Sequence, residues 1–389
     1  MLRPPLRGYA KVPITFLYLN NFPKFAYLIN KKNRMKKFTL LLIFAIIVFS
    51  SLSCAQKSND TLFVAFWNLQ NLFDTIDDPD KRDEQFLPDG DYEWTDERLD
   101  IKLNHLARVI RSMNNEKGPD LLGVCEVEHQ SMLDSMIIRY LSDKNYKVAY
   151  VESPDKRGID NGLIYDAHKF EILAVSGDTV LLAGNWPTRP IVNATLIYKN
   201  IDTLSVYINH WPSRSRGREL SEPNRISAAT TLRKSVDEEF ADNPNAKIII
   251  IGDFNDEPGN ISILDSLNAH PIICDSLPNG NEFETGAELF NISYQAYNNG
   301  LGTYKYRDDW NMLDQVIVSG DLITNPEFYY ICNTFEIYKP YFLKTHSGKY
   351  KGTAFPTYGG KRYLGGYSDH FPVTVKFLIK RINRSNEFR

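Results

Sequence analysis

Cysteine is scarce, with four in 389 residues. Cys54, Cys125, Cys274 and Cys332 show none of the short spacings of a zinc or redox motif. Only three of them follow the N-terminal region, an odd number. A disulfide framework is therefore not expected, and buried free thiols are the default. Repeats, low-complexity tracts and a Pro/Ser linker are also missing, which leaves no seam at which to divide the chain into domains. No apolar run reaches the roughly 20 residues of a membrane span. The most lopsided deficit is acid, since residues 1–59 contain no Asp or Glu.

That acid-free stretch has an order of its own. Met35-Lys36-Lys37 precedes an apolar run from Phe38 to Phe49 and then Ser50-Ser51-Leu52-Ser53-Cys54-Ala55. A short basic region, an apolar stretch of this length and small residues at its end read as an export signal over residues 35–55. Residues 1–34 then read as an upstream extension. Two kinds of processing fit: signal-peptidase cleavage, or lipidation of Cys54 with attachment to a membrane. Both place the mature chain in the periplasm, on the outer membrane or outside the cell. Nine of the 45 Lys and Arg lie before Cys54. The remainder has 36 basic against 48 acidic residues, a net charge of −12. General polyanion binding by bulk charge is excluded, so any attraction for phosphate must be local.

What is present is an ordinary globular composition, 43% hydrophobic and 24% charged. One domain over residues 60–380 and a basic tail, 381–389, are expected. Residues 248–251 are four consecutive isoleucines and predict a strand buried on both faces. Asp253 and Asn255 emerge beyond it, two apart and therefore similarly directed. Other strand-like runs end in the same way, at Asn68, Glu126, His210, Asp314 and the pair Asp369-His370. A carboxylate after one strand is an ordinary turn residue, but eight such groups at strand ends can converge on one edge. Asp256 and Glu257 read as plain turn residues, and the many acids of residues 74–97 as solvated loop charges. Thr95 is positioned to cap a helix running to about Met113.

The collected side chains suit hydrolysis of a phosphate ester. Glu126 and Asn68 offer the hard oxygens that Mg²⁺ or Mn²⁺ prefers, and no Cys suggests a soft-metal site. Asp253, Asn255, His210 and His370 supply a base for water and donors for phosphoryl oxygens.

The segments WNLQNLFD, GVCEVE, NHWPSR, GDFND, LDQVIVS and SDHFPV, in this order, resemble the endonuclease/exonuclease/phosphatase superfamily, the deoxyribonuclease I-like proteins. The resemblance implies an α/β (α+β) four-layer sandwich, two mostly antiparallel β-sheets flanked by helices. It implies Mg²⁺-dependent cleavage of phosphoesters, with Asn68, Glu126 and Asp369 at the metal. Asp253 would orient or deprotonate the water, Asn255 and His210 would hold phosphate, and His370 would act there with Asp314 orienting it. Arg189 matches a phosphate-contacting Arg, and Ser213 a phosphate-clamp position that is often Asn. Gln70 stands where several branches carry an acid.

Three functions are compatible with these residues. The first is an exported nuclease acting on DNA or RNA, with Arg214, Arg216 and Arg218 tracking the strand. The others are a phosphatase or phospholipase C-type hydrolase of inositol phosphates, nucleotides or sphingomyelin, and a surface binding protein with a dead site. No protein partner is expected.

Overall fold

Four β-branched side chains in a row favour extended backbone, and residues 248–251 lie at the centre of a strand. In the computed structural model, which describes residues 59–380 apart from 183, 216 and 275–286, this strand is covered on both sides. The signal segment with Cys54 and the basic tail lie outside the described residues.

The first strands are β1 (Asp60–Leu72), β2 (Leu121–Val127), β3 (Tyr146–Val151), β4 (Asp160–Asp166) and β5 (Phe170–Asp178). Next come β6 (Ile191–Tyr198), β7 (Asp202–His210), β8 (Ile248–Asp253), β9 (Ala269–Pro271) and β10 (Leu289–Asn291). The last are β11 (Asp314–Ser319), β12 (Phe328–Tyr330), β13 (Glu336–Ile337) and β14 (Val373–Ile379). One sheet runs β12-β14-β1-β2-β4-β3, with β13 on β14, and the other runs β9-β10-β11-β8-β7-β6-β5. Most pairings are antiparallel; β1 with β2, β7 with β8 and β9 with β10 are parallel.

The period of two along each strand sorts its side chains between two cores. Ile249 and Ile251 join Val64, Phe66, Leu121 and Val375 between the sheets. Ile248 and Ile250 face outward onto Ala228, Leu232 and Val236 of α3 (Arg218–Asp242). On the opposite face, α1 (Asp96–Glu116) and α2 (Gln130–Tyr140) cover Ala65, Trp67 and Leu122. The layers are therefore helix, sheet, sheet, helix, the sandwich that the resemblance implies. Gly123 sets how closely the sheets approach, because a Cβ there would meet Ile251 Cδ1 at 2.6 Å.

Local signals place α1 well. Thr95 accepts the Arg98 N–H at 3.4 Å, and helical dihedrals break at Met113. The loop after β1 is less solvated than its acids suggest, because Phe86, Trp94 and one of the acids, Asp83, are buried in it. The expectation of free thiols holds for Cys125, which is buried. It fails for Cys274 and Cys332, which form a disulfide across 58 residues. Their spacing carries no local signal; the fold brings the segment after β9 against the one after β12.

Replacing both Cys274 and Cys332 by Ser should cost about 2–4 kcal/mol, mostly through the freed unfolded chain. Urea denaturation of the variant beside the wild type, with and without reductant, measures it; reductant should affect only the wild type.

Candidate active site at the joined strand ends

Register brings the site together. Asp253, the last residue of β8, is paired with His210 of β7 on one side and Asp314 of β11 on the other. Three neighbouring strands thus deliver a polar side chain at one level. Gly252 permits this, since a Cβ there would lie 2.5 Å from the Asn209 carbonyl oxygen.

The facing sheet contributes through irregular backbone. Pairing of β1 with β2 shifts between Asn68 and Leu72, where Gln70 and Asn71 have φ of 52° and 53°. Pairing of β2 with β4 shifts at Glu126, whose φ is 61°. Such bulges re-aim side chains at sheet ends. Asn68 Nδ2 donates to Asp253 Oδ2 at 3.1 Å, joining the sheets. The Asn71 N–H donates to Glu126 Oε2 at 2.9 Å. Glu126 Oε1 then lies 3.8 Å from His210 Nε2.

His370 stands between two carboxylates. Its Nδ1 is 2.7 Å from Asp314 Oδ2 and its Nε2 is 3.9 Å from Asp253 Oδ2. Trp67 Nε1 donates to the His370 carbonyl, and Tyr304 stacks on its ring at 4.6 Å. Burial works against a charged imidazole, but Asp314 and Asp253 hold His370 well above the usual histidine range. Burial instead pushes His210 well below that range, reinforced by Arg189 and Arg157. The two histidines facing Asp253 are therefore shifted in opposite directions. Burial also raises Asp253, to about 6, and raises Asp369, which faces Glu126.

The donor chemistry fits a hard divalent cation. Glu126, Asp253, Asp314 and Asp369 gather around His370, with buried Lys102 acting on Asp369 and Glu126, so that carboxylates outnumber these cations in a site largely closed to water. Asp253, Asp314 and His370 also converge, His370 being hydrogen-bonded to Asp314 through Nδ1 and facing Asp253 at 3.9 Å through Nε2.

Several sequence-based roles change. Arg189 is not free to meet a phosphate: it donates to the His210 and Trp211 carbonyls and to Asp155 at 3.0 Å, and so props the end of β7. Ser213 is exposed beside the site. Asn255, at φ 49°, donates its amide to the Trp211 carbonyl and its N–H to Asp253 Oδ1.

Asp256 is not a turn acid. It is fully buried, 2.8 Å from Arg225 Nε and 3.1 Å from Arg214 Nη2. Arg214 also donates to the Asn255 carbonyl at 2.6 Å and to Asn311. It therefore holds the Asn255 turn and is not available to track a strand. Arg218 is exposed, and Arg216 lies outside the described residues.

Two residues escaped the sequence reading. Lys102 of α1 is buried and donates to Thr357 Oγ1 and the Tyr367 carbonyl. Burial lowers its ammonium to about 7 although Asp369 and Glu126 raise it. Its place in the apolar stripe of Leu99, Leu103 and Leu106 was a usable signal. Tyr304 had none, since only the fold sets it against His370.

The model of the Endonuclease/Exonuclease/phosphatase family matches residues 63–380. No curated protein matches. Similar solved structures include humanized TDP2 of D. rerio, 13% identical with TM-score 0.49, covering 82% of this chain and 98% of that one. A mannosyl-6-phosphatase of Bacteroides thetaiotaomicron is 16% identical, with TM-score 0.49 and coverage of 81% and 99%. The catalytic domain of human Nocturnin is 14% identical, with TM-score 0.47 and coverage of 82% and 97%.

Asp256→Ala would leave Arg225 buried without its counter-charge and should cost about 3–5 kcal/mol. The double replacement Asp256→Leu with Arg225→Met should recover most of that in urea denaturation.

Proposed function

Because the chain belongs to the endonuclease/exonuclease/phosphatase family and is a phosphoester hydrolase, we propose that it is an exported, Mg²⁺-dependent phosphodiesterase acting on DNA or RNA. The observation that carries the reaction is the row Asp314–His370–Asp253–His210, a carboxylate between one histidine held above and one held below the usual range.

Asp253 Oδ2 is the base. It orients water and takes its proton as the water oxygen bonds to phosphorus and the ester P–O bond breaks. His370, kept charged by Asp314, donates to a phosphoryl oxygen as negative charge grows there. His210 positions the same group, while Asn255, its amide on the Trp211 carbonyl, holds Asp253 through its N–H. Asn68, Glu126 and Asp369 would hold the Mg²⁺, which when bound neutralises phosphate charge and eases departure of the leaving oxygen. Lys102 beneath Asp369 and Glu126 limits their mutual repulsion.

Exposed rings beside cations support a nucleic-acid substrate. Tyr306 is 57% exposed with Arg307 5.3 Å from its ring centre, and it lies two residues along the strand from Tyr304. Trp186 is 63% exposed with Lys156 5.4 Å from its ring. Neighbouring Arg157 donates to Asn71, beside Glu126. Such rings can stack on bases while the cations follow phosphates. The signal over residues 35–55 supports export, with the leader removed by signal peptidase or with Cys54 lipidated. The Cys274–Cys332 bond suits an oxidising compartment.

Plasmid DNA, RNA, sphingomyelin and inositol phosphates, each with Mg²⁺, provide the test. Nucleic acid should be cleaved, and Asp253→Asn should lower kcat about 10²- to 10⁴-fold. The base works as its carboxylate, so kcat/KM should rise with pH through about 6 and level above it. Absence of cleavage of both nucleic acids across a metal titration overturns the substrate; full activity in Asp253→Asn or in EDTA overturns the chemistry.

A further inference from the structure

The acid-free N-terminal region has a counterpart within the folded unit. Residues 337–368 contain five Lys, one Arg and no Asp or Glu, in a chain whose net charge beyond Cys54 is −12. Among the described residues only Lys361 of these six forms an ion pair, with Asp91 at 2.7 Å. Two adjoining cavities set this stretch against the hairpin of Tyr304–Tyr306 and Asp309–Asn311. The smaller, about 190 Å³, is lined by Trp310, Leu301, Lys339, Lys344 and three glycines. The larger, about 380 Å³, shares Leu301 and Lys339 and continues along Phe335, Ile337 and Pro340.

Apolar side chains stand exposed among these cations. Tyr341, between Pro340 and Lys344, is 78% exposed. Tyr350, in the turn closed by the Thr345 N–H on the Thr353 carbonyl, is 56% exposed. Leu301 is 44% and Trp310 36% exposed. Lys305 Nζ is 5.8 Å from the Trp310 ring and Lys349 Nζ 5.9 Å from the Tyr350 ring. Single exposed rings are ordinary; a group of them with unpaired lysines marks an interaction surface. The acids that border it, Glu336 at the larger cavity and Asp308 and Asp309 in the hairpin, are outnumbered by the lysines. This surface is not part of the hydrolytic one. Lys305 pairs with Trp310 across the hairpin and shares a face with it, while Tyr304 and Tyr306 take the other face. Tyr304 stacks on His370, so the Trp310 face turns away from the reacting phosphate.

We propose that this surface docks on an anionic lipid bilayer. Lys339, Lys344, Lys349 and Lys351 lie over lipid phosphates, and Tyr341, Tyr350 and Trp310 sit at the headgroup level, where amphipathic rings settle. Leu301 and the apolar walls of the larger cavity meet the acyl boundary, adding buried area to the electrostatic attraction. A single nucleic-acid strand also matches rings with cations. It leaves the Leu301, Ile337 and Pro340 walls without a use, and a strand held at His370 meets the opposite face of the hairpin. Because that hairpin carries Tyr304 on one face and Trp310 on the other, docking holds the rim of the hydrolytic site close to the membrane.

The hydrophobic cores lie within residues 59–380, so the chain from Asn59 onward is the form to test, which keeps the apolar run Phe38 to Phe49 out of the reading. It is sedimented with vesicles of phosphatidylcholine alone and of phosphatidylcholine mixed with phosphatidylglycerol, in EDTA, so that no turnover is read and the outcome is independent of the nuclease activity. The anionic vesicles should be bound, the neutral ones should not, and salt should weaken binding. Lys344→Ala, Lys349→Ala and Lys351→Ala should each weaken it about fivefold. Tyr341→Ser with Tyr350→Ser should weaken it as well, whereas Lys234→Ala, exposed on α3, should not. All of these positions are exposed or at the surface, and circular dichroism checks that each variant is folded. The proposal is overturned if anionic vesicles are not bound or if the lysine and tyrosine variants bind them as the wild type does. A single-stranded oligonucleotide bound through the same residues, with vesicles left unbound, overturns it in favour of nucleic acid.

Discussion

The contact of Ile251 with Gly123 across the two sheets fixes where everything else can be. A side chain at residue 123 would hold the sheets apart at the point where their central strands cross. Two residues beyond Ile251 stands Asp253; three beyond Gly123 stands Glu126. Because the strands are stiff and packed on both faces, this contact sets the separation of those carboxylates as surely as any bond between them. The Asn68 to Asp253 hydrogen bond then joins the two ends.

Placing acids at such a junction has an electrostatic cost, which the fold meets in different ways. Asp314 is matched to His370, and Asp256 to Arg225 and Arg214. Glu126 and Asp369 repel each other and have no hydrogen-bonded cation among the described residues, Lys102 beneath them being pushed toward neutrality by burial. Paired acids thus act as scaffold, and under-compensated acids mark places where a cation can contribute.

How much of this was legible beforehand depended on whether the determining contacts were local. Periodicity and β-branching identified the isoleucine strand, and Thr95 with its acidic first turn identified the start of α1, because those preferences act within a few residues. The ordered segments carrying Asn68, Glu126, His210, Asp253, Asp314 and His370 pointed to groups that the sheets do bring together. Partner choice was another matter. Arg189 and Arg214 looked like phosphate ligands because arginine chemistry suits phosphate, but the fold uses their donors on carbonyls and buried acids. The Cys274–Cys332 bond, the burial of Asp83 and the stacking of Tyr304 on His370 arise from long-range packing, for which neither spacing nor composition has a signature.

The disulfide closes a covalent ring whose interior includes β10, β11 and β12 and therefore Asp314. A single backbone cut anywhere between Cys274 and Cys332 would give two polypeptides that still travel as one molecule. The strand bearing Asp314 would stay joined through sulfur to one side of the break and through its own backbone to the other. Wherever thiol reductants are few, such a molecule could be nicked in this region without shedding the partner of His370.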